Sequence, residues 1–333
     1  MTPGSGAGAD PVAQHPVAQD PVAQRPFGRT GLTVTPICIG TSPLASMPQL
    51  YGYAVDAARA EATVEAVLDG PFTFLDTSNN YGAGSAEERI GAVVRRRGLP
   101  AGFVLATKVD ADPVTGDFSG ERVRRSAEES LGRLGVDRVP VLYLHDPEFH
   151  VTFSEAMAPG GPVEALLALR DEGVAEHVGL AGGRLDLMRA LVATGAFEAV
   201  ISHNRWTLLD RTAEALLAEA TDRGLAFVNG APYGGGMLAR GPDVQPRYAY
   251  TPTPDEVRDA ARAMQAACAA HAVPLAAAAL QFSLRDPRIT STIVGVSEPA
   301  RIATTLDLAT TPIPDELWDE LDRLRPPHGT GLD

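Results

Sequence analysis

The stretch FTFLDTSNNYG at residues 72–82 ends an apolar run on a carboxylate, a row of small polar residues and a phenol before the turn at Gly82. Two later apolar runs also end on reactive groups: FVLATK (103–108) on Lys108 and VPVLYLH (139–145) on His145. Of the 28 basic residues Lys108 is the sole lysine, so the chain uses arginine wherever it needs a plain surface cation. A lone lysine closing a core strand points to chemistry that needs a compact ammonium with a tunable pKa, which guanidinium does not supply. One such use is a Schiff base formed by a desolvated amine. The other is to lie beside a phenol, stabilise the phenolate and lower the tyrosine pKa from about 10, so that Tyr81 passes a proton near neutral pH. Asp76 favours the second use, because a neighbouring carboxylate keeps the ammonium charged. His145 then fits as a neutral hydrogen-bond donor that orients a carbonyl oxygen. Each residue alone has a plainer reading: a strand-end Asp caps a turn, a His sits satisfied in the core, a Tyr packs. The constellation is far more specific than its members.

Converging four such groups requires strands that end on one side of the molecule. Eight short apolar runs follow Phe27, at 35–40, 72–76, 103–108, 139–145, 176–182, 199–204, 225–230 and 290–296. Helical patterns separate them, at 57–69, 85–97, 119–134, 162–172, 184–195, 209–223, 254–271 with 274–285, and 299–308. Strands alternating with helices predict right-handed parallel βαβ units, and eight of them close an α/β (β/α)8 TIM barrel with room for a C-terminal helix. Reactive groups of such a barrel gather at the C-terminal strand ends. An open doubly wound sheet is the rival, but GTSPLAS (40–46) lacks the G-x-G-x-x-G turn expected after its first strand. PFGRTGLTV, before the first run, reads as an N-terminal β-hairpin that plugs the barrel's other mouth.

Length and composition bound the partners. With 333 residues and 44% hydrophobic content the chain buries a large core, and a net charge of −14 disfavours nucleic acid. No apolar run reaches the roughly 18 residues of a membrane span, and the N-terminus lacks the regions of a signal peptide, which predicts a cytoplasmic protein without membrane partners. Cys38 and Cys268 read as buried small residues, and no metal site is expected. Residues 1–26 contain DPVAQ, HPVAQ and DPVAQ in succession. Their prolines interrupt helix and ladder bonding, so this segment is expected to be a disordered tail ahead of a barrel at 27–333.

From Phe27 onward the sequence resembles the aldo-keto reductases. The likeness runs through FGRTGLTVTPICIGTSPL, FLDTSNNYGAGSAEERIG, ATK, SLGRLGVDRVPVLYLHDPE, ALLALRDEGVAEHVGLAGG, NRWTLLDR and PYGGGML in the family's order. HDPE, NRWTLLDR and APYGGGML look most like its aldose, fucose and pyridoxal dehydrogenase branch. The resemblance implies a catalytic tetrad of Asp76, Tyr81, Lys108 and His145, and hydride transfer between NAD or NADP and a small-molecule carbonyl or alcohol, here a sugar lactol or small polar alcohol. It places the cofactor near Thr41, Ser42, Asp76, His203, Asn204, Gly230, Gly295, Ser297, Arg301 and Thr305. The family's Ser-Asn clamp on the nicotinamide amide reads Ala181-Gly182 here, so His203 or Asn204 takes that contact, only one of them facing inward by strand alternation. The aromatic that stacks on the nicotinamide is replaced by Gly230, with Trp206 as the alternative platform. A helix beginning near Glu298 offers N–H groups to phosphate. Gly295 stands where the family often has a phosphate-binding lysine, which favours NAD over NADP. Tyr51, Asn80, Asp146 and Trp206, with Tyr53 and Phe149, are expected around the substrate. A Schiff-base lyase built on Lys108 and a cofactor-bound regulatory subunit are the competing functions.

Overall fold

All eight apolar runs form parallel strands in a closed barrel, in a computed structural model that describes residues 20–327 and 329–332. In chain order the strands are β1 (Arg25–Pro26), β2 (Thr33–Val34), β3 (Ile37–Gly40), β4 (Phe74–Asp76), β5 (Val104–Val109), β6 (Val139–His145), β7 (Ala175–Gly182), β8 (Ala199–His203), β9 (Ala226–Gly230) and β10 (Ser291–Gly295). β3 to β10 follow one another around the barrel, and β10 closes on β3 with Ile293 opposite Cys38. β1 and β2 pair antiparallel as the expected hairpin.

Strand alternation splits the buried apolar residues into two clusters. The larger joins the outward strand faces to the surrounding helices, through residues such as Leu75, Leu105, Leu142 and Leu180. The smaller fills the barrel with Cys38, Phe74, Val104, Ala106, Val141, Tyr143 and Val228, and the hairpin adds Phe27 and Val34. Phe27 meets Phe74 edge-on, ring centroids 5.6 Å apart, which seals the N-terminal mouth. Tyr143 spans the middle of the barrel because its ring lies against Gly179, where a Cβ would approach within 2.4 Å.

Helices Ala57–Leu68, Ser85–Arg97, Gly120–Leu134, Pro162–Asp171, Leu185–Ala193, Asp255–Ala270, Leu275–Leu284 and Ala300–Thr310 match the expected helical stretches, and Asp315–Arg323 is the C-terminal helix. Glycine decides one close contact between them: a Cβ at Gly91 would fall 1.9 Å from the Arg133 carbonyl oxygen, so helix Ser85–Arg97 lies against Arg133 only with glycine there. The helix expected over 209–223 begins at Glu214. Residues 204–211 instead form a turn cage in which Thr207 N–H donates to the Asp210 carbonyl at 2.7 Å and Thr207 and Tyr248 share a hydroxyl contact at 2.8 Å.

The tail boundary also differs. Residues 1–19 lie outside the described residues, but the third DPVAQ unit and Arg25–Pro26 rest on the barrel rather than forming a tail to residue 26. Pro21 is buried, Gln24 donates to Thr73 Oγ1 at 3.0 Å, and Arg25 donates to the Ile289 carbonyl at 3.0 Å. The proline that blocks a central ladder is tolerated in β1 because this two-stranded ribbon has edges. Both cysteines are free and buried. Among the described residues no single helix is long and apolar enough to cross a membrane.

Candidate active site

β4 and β6 end on Asp76 and His145, Lys108 is the last residue but one of β5, and the loop after β4 returns Tyr81 over them. Lys108 is 2% exposed. Its ammonium donates to Asp76 Oδ1 at 2.5 Å, to the Thr77 carbonyl at 2.6 Å and to Tyr81 Oη at 3.0 Å. These contacts use all three of its donors. Burial raises the Asp76 carboxyl above its ordinary value, and the Lys108 ammonium pulls against that shift. Burial also pushes the Tyr81 phenol well above its usual value, with Asp76 adding to the rise. The lowering of the Tyr81 pKa expected from Lys108 is therefore not what this site produces. Asp76 neutralises the ammonium at closer range than the phenol feels it, and desolvation then keeps the phenol protonated.

The polar row between Asp76 and Tyr81 holds this arrangement in place. Ser78 Oγ donates to Asp110 Oδ2 at 2.5 Å and lies 3.0 Å from His145 Nδ1. Asn79 turns away from the barrel, where its side-chain amide donates to Glu129 Oε2 at 3.1 Å and its Oδ1 accepts from Arg122 at 3.2 Å. Asn80 N–H donates to Asp110 Oδ2 at 3.0 Å, and its side chain to the Ala111 carbonyl at 3.3 Å. Asn80 thus pins the loop and does not line the cavity. His145 Nδ1 is 2.7 Å from Asp110 Oδ1. Burial disfavours the imidazolium, but Asp146 and Asp110 outweigh it and His145 is raised above its ordinary value. This departs from the neutral imidazole expected.

A cavity of about 1180 Å³ opens above these groups, ample for a dinucleotide and a small substrate. His203 and Asn204 both line it, contrary to simple alternation. The reason is the left-handed backbone at Asn204, φ 61°, which breaks the strand's period immediately after β8; Asp146, φ 45°, does the same after β6. Asn204 Oδ1 is buried without a partner, and its Nδ2 lies 3.3 Å from His203 Nδ1. Gly40, Ala181, Gly230 and Gly295 give the cavity a flat floor, and Ser42, Ser297 and Arg301 line the side beside helix Ala300–Thr310. Among the described residues no carboxylate pairs with Arg301. The orphaned amide oxygen, the flat floor and the unneutralised cation near a helix start fit a nicotinamide dinucleotide.

Other assigned positions fall elsewhere. Thr41 is buried with its hydroxyl on the Asp76 carbonyl at 2.9 Å, and Thr305 bonds the Arg301 carbonyl at 2.7 Å; neither lines the cavity. Trp206 also stays out of it, packed on Phe282 with ring centroids 5.7 Å apart. It belongs to the outer core and offers no platform for a ring. Tyr233, after β9, lines the cavity where Trp206 does not. Tyr51 hydrogen-bonds Ser42 Oγ at 2.7 Å, stacks on Tyr53 and meets Tyr250 edge-on, forming an aromatic rim. Asp146 accepts from His203 Nε2 at 3.1 Å, and Glu148 Oε1 accepts the N–H groups of Gly183 and Arg184. Asp146, Glu148 and His203 have atoms within 4.8 Å of one another, and these hydrogen bonds account for the cluster.

An eight-stranded barrel carrying a buried Asp-Lys-Tyr cluster beside a histidine defines a nicotinamide-dependent oxidoreductase. The chain belongs to the aldo/keto reductase family, whose model matches residues 36–326. It is 32% identical to a D-threo-aldose 1-dehydrogenase of a Pseudomonas species, covering 80% of this chain and 88% of that one. It is 30% identical to the pyridoxal 4-dehydrogenase of Microbacterium luteolum over 88% of this chain and 95% of that one, and 31% identical to the L-galactose dehydrogenase of Arabidopsis thaliana over 83% and 84%. An aldo-keto reductase of Bacillus halodurans, solved in its holo form, shares the fold with a TM-score of 0.72, 21% identity and coverage of 91% and 96%.

Proposed function

We propose that the enzyme oxidises a small polyhydroxylated substrate, a sugar lactol or related cyclic alcohol, at least as readily as it reduces simple aldehydes, with Asp76, Tyr81, Lys108 and His145 as its catalytic groups. The observation that carries the catalytic assignment is the Lys108 ammonium bound at once to Asp76 and Tyr81 at the cavity floor. With its donors spent there, Lys108 is an ammonium rather than a nucleophilic amine, which disfavours the Schiff-base alternative. The bound cofactor supplies the hydride exchange with the substrate carbon. Tyr81 handles the proton: as phenol it donates to the oxygen of a carbonyl being reduced, and as phenolate it accepts the hydroxyl proton of an alcohol being oxidised. Because the phenol is raised, oxidation should climb with pH through and beyond the ordinary tyrosine value of about 10.

Polar groups at the rim, Asp146, His203 and the Tyr51 and Tyr250 hydroxyls, suit several substrate hydroxyls, and the relatives named for aldose and L-galactose dehydrogenation support the same class. Gly295 in place of a cation favours NAD over NADP by a modest factor, Arg301 being the one feature that opposes it. The test is kcat/KM for fucose-like and arabinose-like sugars and pyridoxal against benzaldehyde-type substrates, with both cofactors. A clear preference for apolar aryl aldehydes would defeat the substrate assignment, and tighter binding of NADP than NAD the cofactor preference.

A further inference from the structure

Asp110 follows Lys108 by two residues, just past the end of β5, and is nearly buried. Its two oxygens divide their work. Oδ1 lies 2.7 Å from His145 Nδ1, while Oδ2 accepts Ser78 Oγ–H at 2.5 Å and Asn80 N–H at 3.0 Å. The Ser78 hydroxyl hydrogen is thereby spent on Asp110. At 3.0 Å from His145 Nδ1, Ser78 Oγ is left only as an acceptor. Both partners of Nδ1 therefore require a proton on that nitrogen. A neutral ring with its proton on Nδ1 would present a bare lone pair at Nε2, the wrong polarity for a carbonyl oxygen.

We propose that Asp110 is a positioning residue for the reaction: together with Ser78 it fixes the His145 ring, and its negative charge sustains the imidazolium whose Nε2–H donates to the substrate oxygen. The inference rests on the role given to His145 above. The other groups around the ring fit it. Asp146 Oδ2 is 3.7 Å from Nε2, and His203 bonds the other oxygen of Asp146. Lys108 is the opposing charge on β5, but Asp76 neutralises it at 2.5 Å. Tyr81 faces the ring edge-on with centroids 5.9 Å apart, and it is a neutral phenol. The direction of the His145 shift agrees, with the two aspartates as the raising groups.

In reduction, kcat/KM should then fall as pH rises through the His145 midpoint, since deprotonation removes the Nε2–H donor. Asp110→Asn keeps the size of the side chain and an acceptor for Nδ1–H but removes the charge. The histidine ring resonances of the cofactor-free, full-length protein are followed by NMR against pH, with the His145 signal assigned by its loss in His145→Gln. The wild-type midpoint should lie above about 6.5, and Asp110→Asn should lower it by about one pH unit or more. The falling limb of the reductive pH profile should move down by the same amount, with cofactor affinity unchanged and kcat/KM reduced about 10- to 100-fold. A wild-type His145 midpoint at or below the ordinary imidazole value overturns the proposal even if the variant does not fold. So does an unchanged midpoint in a folded Asp110→Asn. The titration needs neither substrate nor turnover, so a wrong substrate class would leave it readable.

Discussion

Phe74 and Asp76 stand two residues apart on β4 and face the same interior, yet they belong to opposite kinds of environment. Phe74 meets the hairpin through Phe27 in a dry apolar plug. Asp76 meets an ammonium, with a second oxygen that has no partner. β5 repeats the contrast from Val104 and Ala106 to Lys108, and β6 from Val141 and Tyr143 to His145. Each strand thus changes from packing to chemistry within one pleat. The lower layer is held by area removed from water, and its residues are interchangeable in kind if their volume is kept. The upper layer keeps charged groups out of water only because each is paired, so its residues are not interchangeable.

The comparison predicts that damage at the two layers reads out differently. Tyr81→Phe should give the largest effect, a loss of turnover of about 10²–10⁴-fold with cofactor affinity and thermal stability almost unchanged, because it removes one hydroxyl at the cavity floor. Retained turnover would remove Tyr81 from the mechanism. Lys108→Arg should be nearly as severe in turnover, since the planar fork cannot reach Asp76, Thr77 and Tyr81 as the ammonium does. Phe74→Ala should reverse the pattern: about 3–5 kcal/mol of stability lost in denaturant unfolding, while the fraction that remains folded keeps its kcat. A Phe74→Ala enzyme that is stable but inactive would show that the two layers are coupled.

Arg301→Ala lies at the cavity's far side and should weaken dinucleotide binding by about tenfold, the worth of one partly exposed charge-assisted contact, as read by fluorescence titration. Turnover at saturating cofactor should be unaffected. Loss of kcat without loss of affinity would place Arg301 outside the cofactor site.

The convergence of Asp76, Tyr81, Lys108 and His145 was legible because three of them close apolar runs and Tyr81 follows the first on its loop, and strand ends of a parallel barrel must meet. The eight strands were legible for the same reason: fully buried runs bounded by turns have few alternative readings. The cavity's walls were not. Asp146 and Asn204 take left-handed backbone right after their strands, so counting by twos misjudges which side chains face inward. Asn79 and Asn80 carry the same amide in adjacent positions, and both serve the loop rather than the substrate, through helix Gly120–Leu134 and Asp110 respectively. Asp110 carried no signal beyond lying two residues after Lys108. Aromatic content, 6% of the chain, gives an amount and no location: five of the seven tyrosines, Tyr51, Tyr53, Tyr81, Tyr233 and Tyr250, line the one cavity.

The smallest expected effect concerns the plug itself. Gln24, just ahead of the hairpin, and Arg25, the first residue of β1, tie it to Thr73, at the foot of β4, and to Ile289, just ahead of β10. A chain beginning at residue 20 keeps both contacts and the β1–β2 pairing, whereas one beginning at residue 27 loses them. Each hydrogen bond contributes about 0.5–1.5 kcal/mol, and Gln24 is exposed, so the shorter chain should be less stable than the longer by about 1–2 kcal/mol. Denaturant midpoints of the two truncations measure the difference directly. Because the lost contacts lie at the end of the barrel opposite Tyr81, kcat should be the same in both. A fall in kcat on moving the start from 20 to 27, at a pH and temperature where both chains are folded, would mean that the hairpin's anchorage reaches the upper layer, and the division between packing and chemistry along β4 would have to be redrawn.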